Sequence, residues 1–356
     1  MTHGAEAAGL LNLPCAHGGA AGSARLRASP EDFVVHEWLG FEADGEGDHL
    51  LLKVRKRGAN TMWVAKQLGK LGRIHPRDVG FAGLKDRDAI AEQSFTVPAR
   101  SALGDAWVGV AGDGFEVLSA ARQRRKLKRG ALKGNDFVLV LRDFAGDAAL
   151  LEQRLQRLAT AGVPNYFGPQ RFGRGGNNIT TALAWFNGEA PAPERAERGF
   201  ALSAARAAIF NAVLAERVTA GSWNQLLDGD VINLNGTGSI FPATVIDDTL
   251  RERCAQLDVH PTGPMWHGDS LQSSGAVAKL ETDVAQRHIA LANGLAKAGL
   301  EPERRPLRVP VRELTWRLDG SDLHLQFRLQ RGSFATAVLH ELISNAFQAD
   351  TPEADV

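Results

Sequence analysis

The sequence has few cysteines, no excess of charge and no spacing typical of a metal site, and each absence excludes a class of protein. Cys15 and Cys254 are the only cysteines in 356 residues, which argues against a disulfide framework and favours a reducing, cytoplasmic location. The ten histidines are scattered, without the CxxC or HxxxH spacing of zinc sites. We therefore expect no metal ion.

Long apolar runs are also missing. No run approaches the length of about 18 residues that spans a bilayer, and the N-terminus shows no basic segment followed by an apolar stretch. We therefore expect a soluble protein with no membrane partner. The formal net charge of zero disfavours a protein that coats nucleic acid non-specifically, but it allows one basic face. The length predicts two domains.

The most informative segment is GFAGLKDRDA, residues 80–89. Its two glycines let the backbone take positive φ or approach a ligand closely. Lys85 and Arg87 flank Asp86 and keep cations near its carboxylate, which suits a nucleophile or a base. A surface turn with an ordinary ion pair is the alternative that these residues leave open.

Two further segments suit RNA contact. Residues 122–133, RQRRKLKRGALK, carry seven cations and no acid, which is typical of a phosphate-binding patch, although such runs also occur on solvated faces. Residues 162–178, GVPNYFGPQRFGRGGNN, combine aromatics, arginines and glycines suited to base stacking and phosphate cradling, with a structural turn as the alternative. The candidate RNA contacts in the two segments are Arg124, Arg125, Lys128, Arg171 and Arg174.

Periodicity predicts two local structures near the C-terminus. Apolar residues alternate over 314–318 and again over 323–329, on either side of the turn Asp319-Gly320-Ser321, which predicts a β-hairpin. Apolar residues from Val277 to Leu295 recur with the spacing of one long helix that ends at Gly299.

Five segments together resemble the TruD family of tRNA pseudouridine synthases, in the family's order and over about residues 26–345. FAGLKDR at 81–87 resembles the family's catalytic loop. The other four matching segments are RASPEDFVVHE at 27–37, KGNDF at 133–137, the segment 162–178, and RGSFAT at 331–336.

The resemblance implies an α+β fold. A pseudouridine synthase catalytic domain with a mixed or antiparallel sheet would be formed from both ends of the chain, residues 1–161 plus 305–356. A TruD-specific α/β domain would be inserted at 162–304. Residues 1–24, rich in Gly and Ala, are expected to be flexible.

The resemblance also implies the chemistry. Asp86 would be the nucleophile and Arg27 its cationic partner. Uridine-13 of tRNA would be isomerised to pseudouridine by breaking the N1–C1′ bond, turning the uracil and rejoining it through C5, with attack by Asp86 on C1′ or on C6. Phe137 would pack against the target base. The implied substrate contacts are Phe33, Lys85, Asn135, Phe137 and Phe334.

The partners follow from the same resemblance. The redox-neutral isomerisation needs no cofactor, tRNA is the partner, and no obligate protein partner is implied.

Two alternatives remain open. In an extended segment Asp86 and Asp88 would face the same side, roughly 7 Å apart, within the span of the carboxylate pair of an inverting glycosidase. A glycosidic-bond hydrolase is therefore one alternative, although residue 88 is not an acid in the family pattern. A non-catalytic RNA-binding module that uses residues 122–133 is the other.

Overall fold

The structure, a computed structural model, describes residues 3–87, 89–268 and 271–346. Helices and strands alternate irregularly along these residues, as expected for an α+β fold. The helices are α1 (His3–Leu10), α2 (Thr61–Leu71), α3 (Ala148–Ala161), α4 (Asn177–Phe186), α5 (Arg195–Thr219), α6 (Asp248–Ala255), α7 (Gly275–Arg287), α8 (Ile289–Lys297) and α9 (Ala335–His340). The strands are β1 (Gly22–Arg25), β2 (Phe33–Trp38), β3 (His49–Arg57), β4 (Gly80–Phe81), β5 (Ile90–Pro98), β6 (Ala111–Gly112), β7 (Phe115–Gln123), β8 (Gly134–Gly146), β9 (Val163–Pro164), β10 (Val231–Leu234), β11 (Ile240–Pro242), β12 (Val259–Met265), β13 (Glu303–Pro306), β14 (Arg308–Val309), β15 (Arg312–Asp319) and β16 (Asp322–Gln330).

The chain divides into two compact units. The sheet unit comprises Ala24–Ala145 and Arg312–Gly332, and the helical unit comprises the described parts of Met1–Ser23, Gly146–Val311 and Ser333–Val356. Residues 146–161 and 305–311 therefore belong to the same compact unit as the segment 162–304, which was predicted to be the inserted domain. One reason is that β14 pairs with β9. The predicted boundaries of the inserted domain stay a prediction.

The sheet unit is built on one mixed sheet with the strand order β15-β16-β8-β2-β5-β3-β7-β6, to which β1 adds beside β8 and β4 beside β5. Strands β2 and β5 run parallel, whereas β3 pairs antiparallel with both β5 and β7. Val64 and Leu68 of α2 share a buried cluster with Leu52 and Phe95 of the sheet. The cluster follows from the period-two alternation of apolar residues in β3 and the helical spacing in α2.

Strands from both ends of the chain meet in this sheet. The hairpin β15–β16 forms with Leu318 opposite Leu323, and β16 pairs along its length with β8, with Phe327 opposite Phe137. The predicted hairpin and the predicted assembly of the sheet from both ends are therefore confirmed.

The helical unit is centred on α5. Phe210 and Leu214 of α5 share a core with Ile179 of α4 and Leu291 of α8, and a four-stranded sheet of order β11-β10-β12-β13 completes the unit. Among the described residues, α5 is long and apolar enough to cross a membrane by length and composition. Arg206 interrupts the apolar residues of α5, so no uninterrupted apolar run of that length stands in the sequence. About half of the helix is buried within the unit.

Two local predictions differ from the structure. The predicted helix from Val277 to Leu295 is broken at His288, which has φ −118° and ψ 45°, a conformation outside the α region. The apolar period continues across the break, so periodicity alone does not reveal it.

The N-terminal segment, predicted to be flexible, instead contains α1 and a set of tertiary contacts. The buried Glu341 carboxylate accepts backbone N–H groups from Ala16 at 2.8 Å and from His17 at 2.9 Å. These contacts join residues more than 320 positions apart, so the Gly- and Ala-rich composition gave no sign of them.

Candidate active site

Asp86 and Arg27 form an ion pair in the sheet unit. Nη2 of Arg27 lies 3.2 Å from Oδ2 of Asp86, with the side chains 15% and 40% exposed, respectively. The guanidinium carbon of Arg27 lies 4.2 Å from the ring centroid of Phe33, the first residue of β2. A cation held over an aromatic face and beside a carboxylate is oriented from two sides. The site thus presents a carboxylate that solvent reaches and that pairs with the cation of Arg27.

The backbone of the loop 80–89 is held by three buried side chains. The backbone N–H of Lys85 donates to Oγ1 of Thr61 at 2.9 Å, and Nε2 of Gln93 donates to the carbonyl of Gly83 at 2.6 Å. Nζ of Lys56 donates to the carbonyls of Asp86 and of Ala59. Because Lys56, Thr61 and Gln93 are almost completely buried, the loop that carries Asp86 rests on the core.

Lys85 points away from solvent, between β2 and β8. Its Nζ lies 3.2 Å from Oε1 of Glu37 and donates to Oδ1 of Asn135 at 2.5 Å. Burial lowers the pKa of Lys85, against the opposing effect of Glu37 and Asp86. Because lysine is a donor only, the contact fixes the amide of Asn135 with its oxygen toward Lys85. The N–H groups of Asn135 are then the donors that it can offer to a substrate.

Phe33 and Phe137 form a row of rings beside Arg27. Their centroids are 6.2 Å apart, edge to face, and Phe137 stacks on Phe327 at 5.3 Å. Both Phe33 and Phe137 are 7% exposed, so each ring is largely part of the core. The predicted contact of Phe137 with a base stays a prediction.

Of the seven residues predicted to be catalytic or to contact the substrate, six therefore lie in the sheet unit, and Phe334 lies in the helical unit. Phe334 is partly buried, with its ring centroid 5.9 Å from that of Phe167. Its predicted role in the same site as Asp86 stays a prediction. Asp88 lies outside the described residues, and so does the geometry of the proposed carboxylate pair.

Some cations of the basic run, residues 122–133, pair with carboxylates, and others do not. Arg124 forms an ion pair with Glu46, and its backbone N–H donates to Asp44 at 2.8 Å. Arg125 and Lys128 are exposed, and no carboxylate of the described residues pairs with either. Both line a surface groove of about 550 Å³. Both are therefore well placed to receive a phosphate.

The residues that the structure describes give little support for a metal site or for a cysteine nucleophile. There, no three His, Cys, Asp or Glu side chains lie close enough together to bind a metal ion. Burial and the nearby Glu341 raise the pKa of the Cys15 thiol to about 12, so Cys15 is a poor nucleophile at neutral pH. The expected absence of a metal or cofactor stays a prediction.

The family is decided by comparison with known proteins. The profile of the family described as tRNA pseudouridine synthase D (TruD) matches residues 16–183 and 194–342. The chain belongs to the TruD family. Among curated members, tRNA pseudouridine synthase D of Nitrosococcus oceani is 44% identical over 324 residues, which cover 90% of each chain. Its counterpart in Xanthomonas campestris pv. campestris is 45% identical over 352 residues, which cover 93% of this chain and 94% of that one.

A solved structure supports the TruD fold. The crystal structure of a Methanosarcina mazei protein described as a tRNA pseudouridine synthase D superposes with a TM-score of 0.73. The alignment covers 94% of this chain and 97% of that one at 21% sequence identity. The predicted fold class is confirmed.

Sequence reasoning missed several residues that shape this TruD-family loop, namely Glu37, Lys56, Thr61 and Gln93. A signal existed for Lys56. Every second residue from Leu50 to Lys56 is buried in β3, so a lysine occupies an apolar register position. Such a lysine must find polar partners inside the protein, and here they include the carbonyl of Asp86.

Proposed function

We propose that the protein is a tRNA pseudouridine synthase that isomerises uridine-13 of tRNA, with Asp86 as nucleophile and Arg27 as its partner. The observation that carries the proposal is the Arg27–Asp86 pair. It combines an accessible carboxylate, a fixed cation and a loop held by the core, in a chain of the TruD family. The names of the relatives supply tRNA as the substrate class, and position 13 follows from the resemblance.

The reaction would proceed through a bond between the enzyme and the nucleotide. Asp86 attacks either C1′ of the ribose or C6 of the uracil, and both routes remain open. The N1–C1′ bond breaks, the uracil turns, C5 bonds to C1′, and the bond between Asp86 and the nucleotide breaks, which frees the carboxylate. C5 then loses a proton while N1 gains one, so the product is an isomer and no electrons are exchanged. Arg27 keeps the carboxylate in position and balances its charge.

The target uridine must leave the base stack to reach Asp86. Aromatic side chains commonly hold such extruded bases. Phe33 lies beside Arg27, and Phe137 packs edge to face against Phe33. We assign this role to these two largely buried rings, with the Asn135 amide N–H groups as donors for the uracil carbonyls. Arg125 and Lys128 would hold the RNA backbone without reading its sequence. The proposed setting is the cytoplasm, without a cofactor.

The test is to incubate the purified protein with unmodified tRNA transcripts and to map pseudouridine by position. We expect pseudouridine at position 13 and at no position in a transcript with cytidine there. Release of free uracil would support the hydrolase instead, and Asp88→Asn would then be as damaging as Asp86→Asn. Tight tRNA binding without any product would support the non-catalytic RNA-binding module.

A further inference from the structure

Two arginines of the helical unit lie against the same aromatic ring. The guanidinium carbon of Arg305 lies 4.1 Å from the ring centroid of Phe167, and that of Arg171 lies 5.1 Å from it. Arg305 is also within 5.5 Å of the Phe210 centroid and 5.8 Å of the Phe334 centroid. Two guanidinium groups therefore share one aromatic cluster.

Within the described residues, neither guanidinium has a carboxylate partner. Arg171 donates to Oγ of Ser203 at 2.8 Å, and Arg305 donates to the backbone carbonyl and side-chain oxygen of Asn165. Burial lowers the pKa of both arginines, and the neighbouring charge of Arg171 helps to lower that of Arg305 to about 9, against the effect of Glu303. The excess of positive charge at these two guanidinium groups favours the binding of an anion.

Other buried or partly buried arginines of the same unit differ in one of two ways. Some are neutralised by carboxylates: Arg206 by Glu303, Arg217 by Asp230, and Arg304 by Glu281. Arg154 and Arg308 have neutral partners but are only 7% and 4% exposed, so no ligand reaches them. Arg171 and Arg305 alone among these are both without a carboxylate and partly exposed.

We propose that Arg171 and Arg305 bind a phosphate of the tRNA backbone, with the Phe167 ring as the platform that orients both guanidinium groups. The planar fork of N–H donors on arginine matches phosphate geometry. A ring packed against the guanidinium restricts its orientation before the phosphate binds, so less conformational entropy is lost on binding. The exposed Arg174, three residues after Arg171, adds a third cation to a segment without acids. RNA as the source of the phosphate rests on the proposed function.

The test measures the tRNA dissociation constant as a function of salt concentration for Arg171→Met and Arg305→Met. Loss of the one proposed phosphate contact lowers the log–log slope by about 0.7–0.9. Because both guanidinium groups hold the same phosphate, we expect each variant to show a reduction of about that size and the double variant to show no more. Arg206→Met is the matched control, because Arg206 is partly buried in the same unit but already neutralised by Glu303. We expect its slope to equal that of the wild type.

Thermal melting reports whether each variant is folded. If Arg305→Met does not fold, the salt slope of Arg171→Met tests the phosphate site. We expect Arg171→Met to fold, because among the described residues the guanidinium of Arg171 donates to a single side-chain acceptor, Ser203. Slopes equal to the wild type in the folded variants would overturn the phosphate site and return these arginines to a structural role. Because the measurement is of binding, a wild-type protein that binds tRNA but makes no pseudouridine would overturn the proposed function alone.

Discussion

Nη2 of Arg27 lies 3.2 Å from Oδ2 of Asp86, although the two residues are 59 positions apart in the chain. Arg27 reaches this position with φ +50°, a region that residues other than glycine rarely adopt. Such a conformation costs on the order of 1–3 kcal/mol and persists where the surrounding structure imposes it. The contacts with Phe33 and Asp86 are among those that hold Arg27 there.

Asp86→Asn tests the nucleophile. The change keeps the size of the side chain and removes its charge, so we expect turnover to fall on the order of 10⁴-fold or more. tRNA affinity and folding should survive, because backbone phosphate contacts position the RNA. The matched control is Asp143→Asn, since Asp143 forms an exposed ion pair with Arg25 in the same unit. A folded Asp86→Asn protein with wild-type turnover would end the hypothesis.

Arg27→Met tests the cationic partner. Loss of a charge-assisted hydrogen bond worth about 1.5–3 kcal/mol should reduce kcat by about 10- to 100-fold, with tRNA binding retained. Arg27→Lys keeps the charge but loses the planar contact with Phe33, so we expect an intermediate rate. Arg25→Met removes an exposed arginine of a surface pair and should leave the rate unchanged. Equal rates for Arg27→Met and the wild type would exclude a role for the pair.

Lys56→Met tests whether the buried lysine positions Asp86. Methionine suits the apolar register of β3 but removes the donor to the carbonyls of Asp86 and Ala59. We expect kcat to fall about tenfold or more, because a displacement of about 1 Å at a reacting group has large effects, while the tRNA dissociation constant stays the same. Lys53→Met, in the same strand and paired with Glu92, is the control. A loss of thermal stability without any change in kcat would make Lys56 purely structural.

Glu92 should make stability depend on acid pH. Burial alone would raise its pKa, but hydrogen bonds from Lys53, His36 and Arg55 outweigh burial and lower it from 4.5 to about 2. A lowered pKa in the folded state stabilises the fold above the unfolded value, and that contribution is lost as the pH falls from about 4.5 toward 2.

Glu92→Gln should therefore lower the free energy of unfolding in urea at pH 7, by on the order of 3 kcal/mol. The difference from the wild type should shrink as the pH is lowered from 5 toward 3. A difference that is constant over this range would show that the charge of Glu92 does not stabilise the fold.

The basic run should contribute unequally to tRNA binding. Arg125→Ala combined with Lys128→Ala should lower the log–log salt slope of tRNA affinity by about 1.4–1.8, or 0.7–0.9 for each phosphate contact. Arg124→Ala should have a smaller effect because Arg124 is paired with Glu46. Arg122, paired with Asp105 at 2.9 Å, supplies a further control. A slope change for Arg124→Ala or for Arg122→Ala that equals half of the change in the double variant would contradict this ranking.

The sequence predicted local structure well where a short pattern decides it. The hairpin β15–β16 follows from alternation around one turn, and its observed register agrees. The break at His288 was missed because a single non-helical residue hardly disturbs the apolar period. α1 was missed because it packs against α4 and α5, which lie far along the chain. The burial of Glu341 was missed because it depends on contacts between the two ends of the chain.

The sequence by itself determined the fold class, the family and the residue types of the candidate site, because these are properties of contiguous segments such as FAGLKDR at 81–87. Only the tertiary structure decided which groups meet. It brought Arg27 to Asp86 and placed Nζ of Lys56 against the backbone of the loop. It also paired Arg124 with Glu46, 78 positions away, and gave Arg125 no carboxylate partner among the described residues. The physical reason is that charge, burial and hydrogen bonding at these side chains depend on neighbours across the sheet, and no local pattern encodes those neighbours.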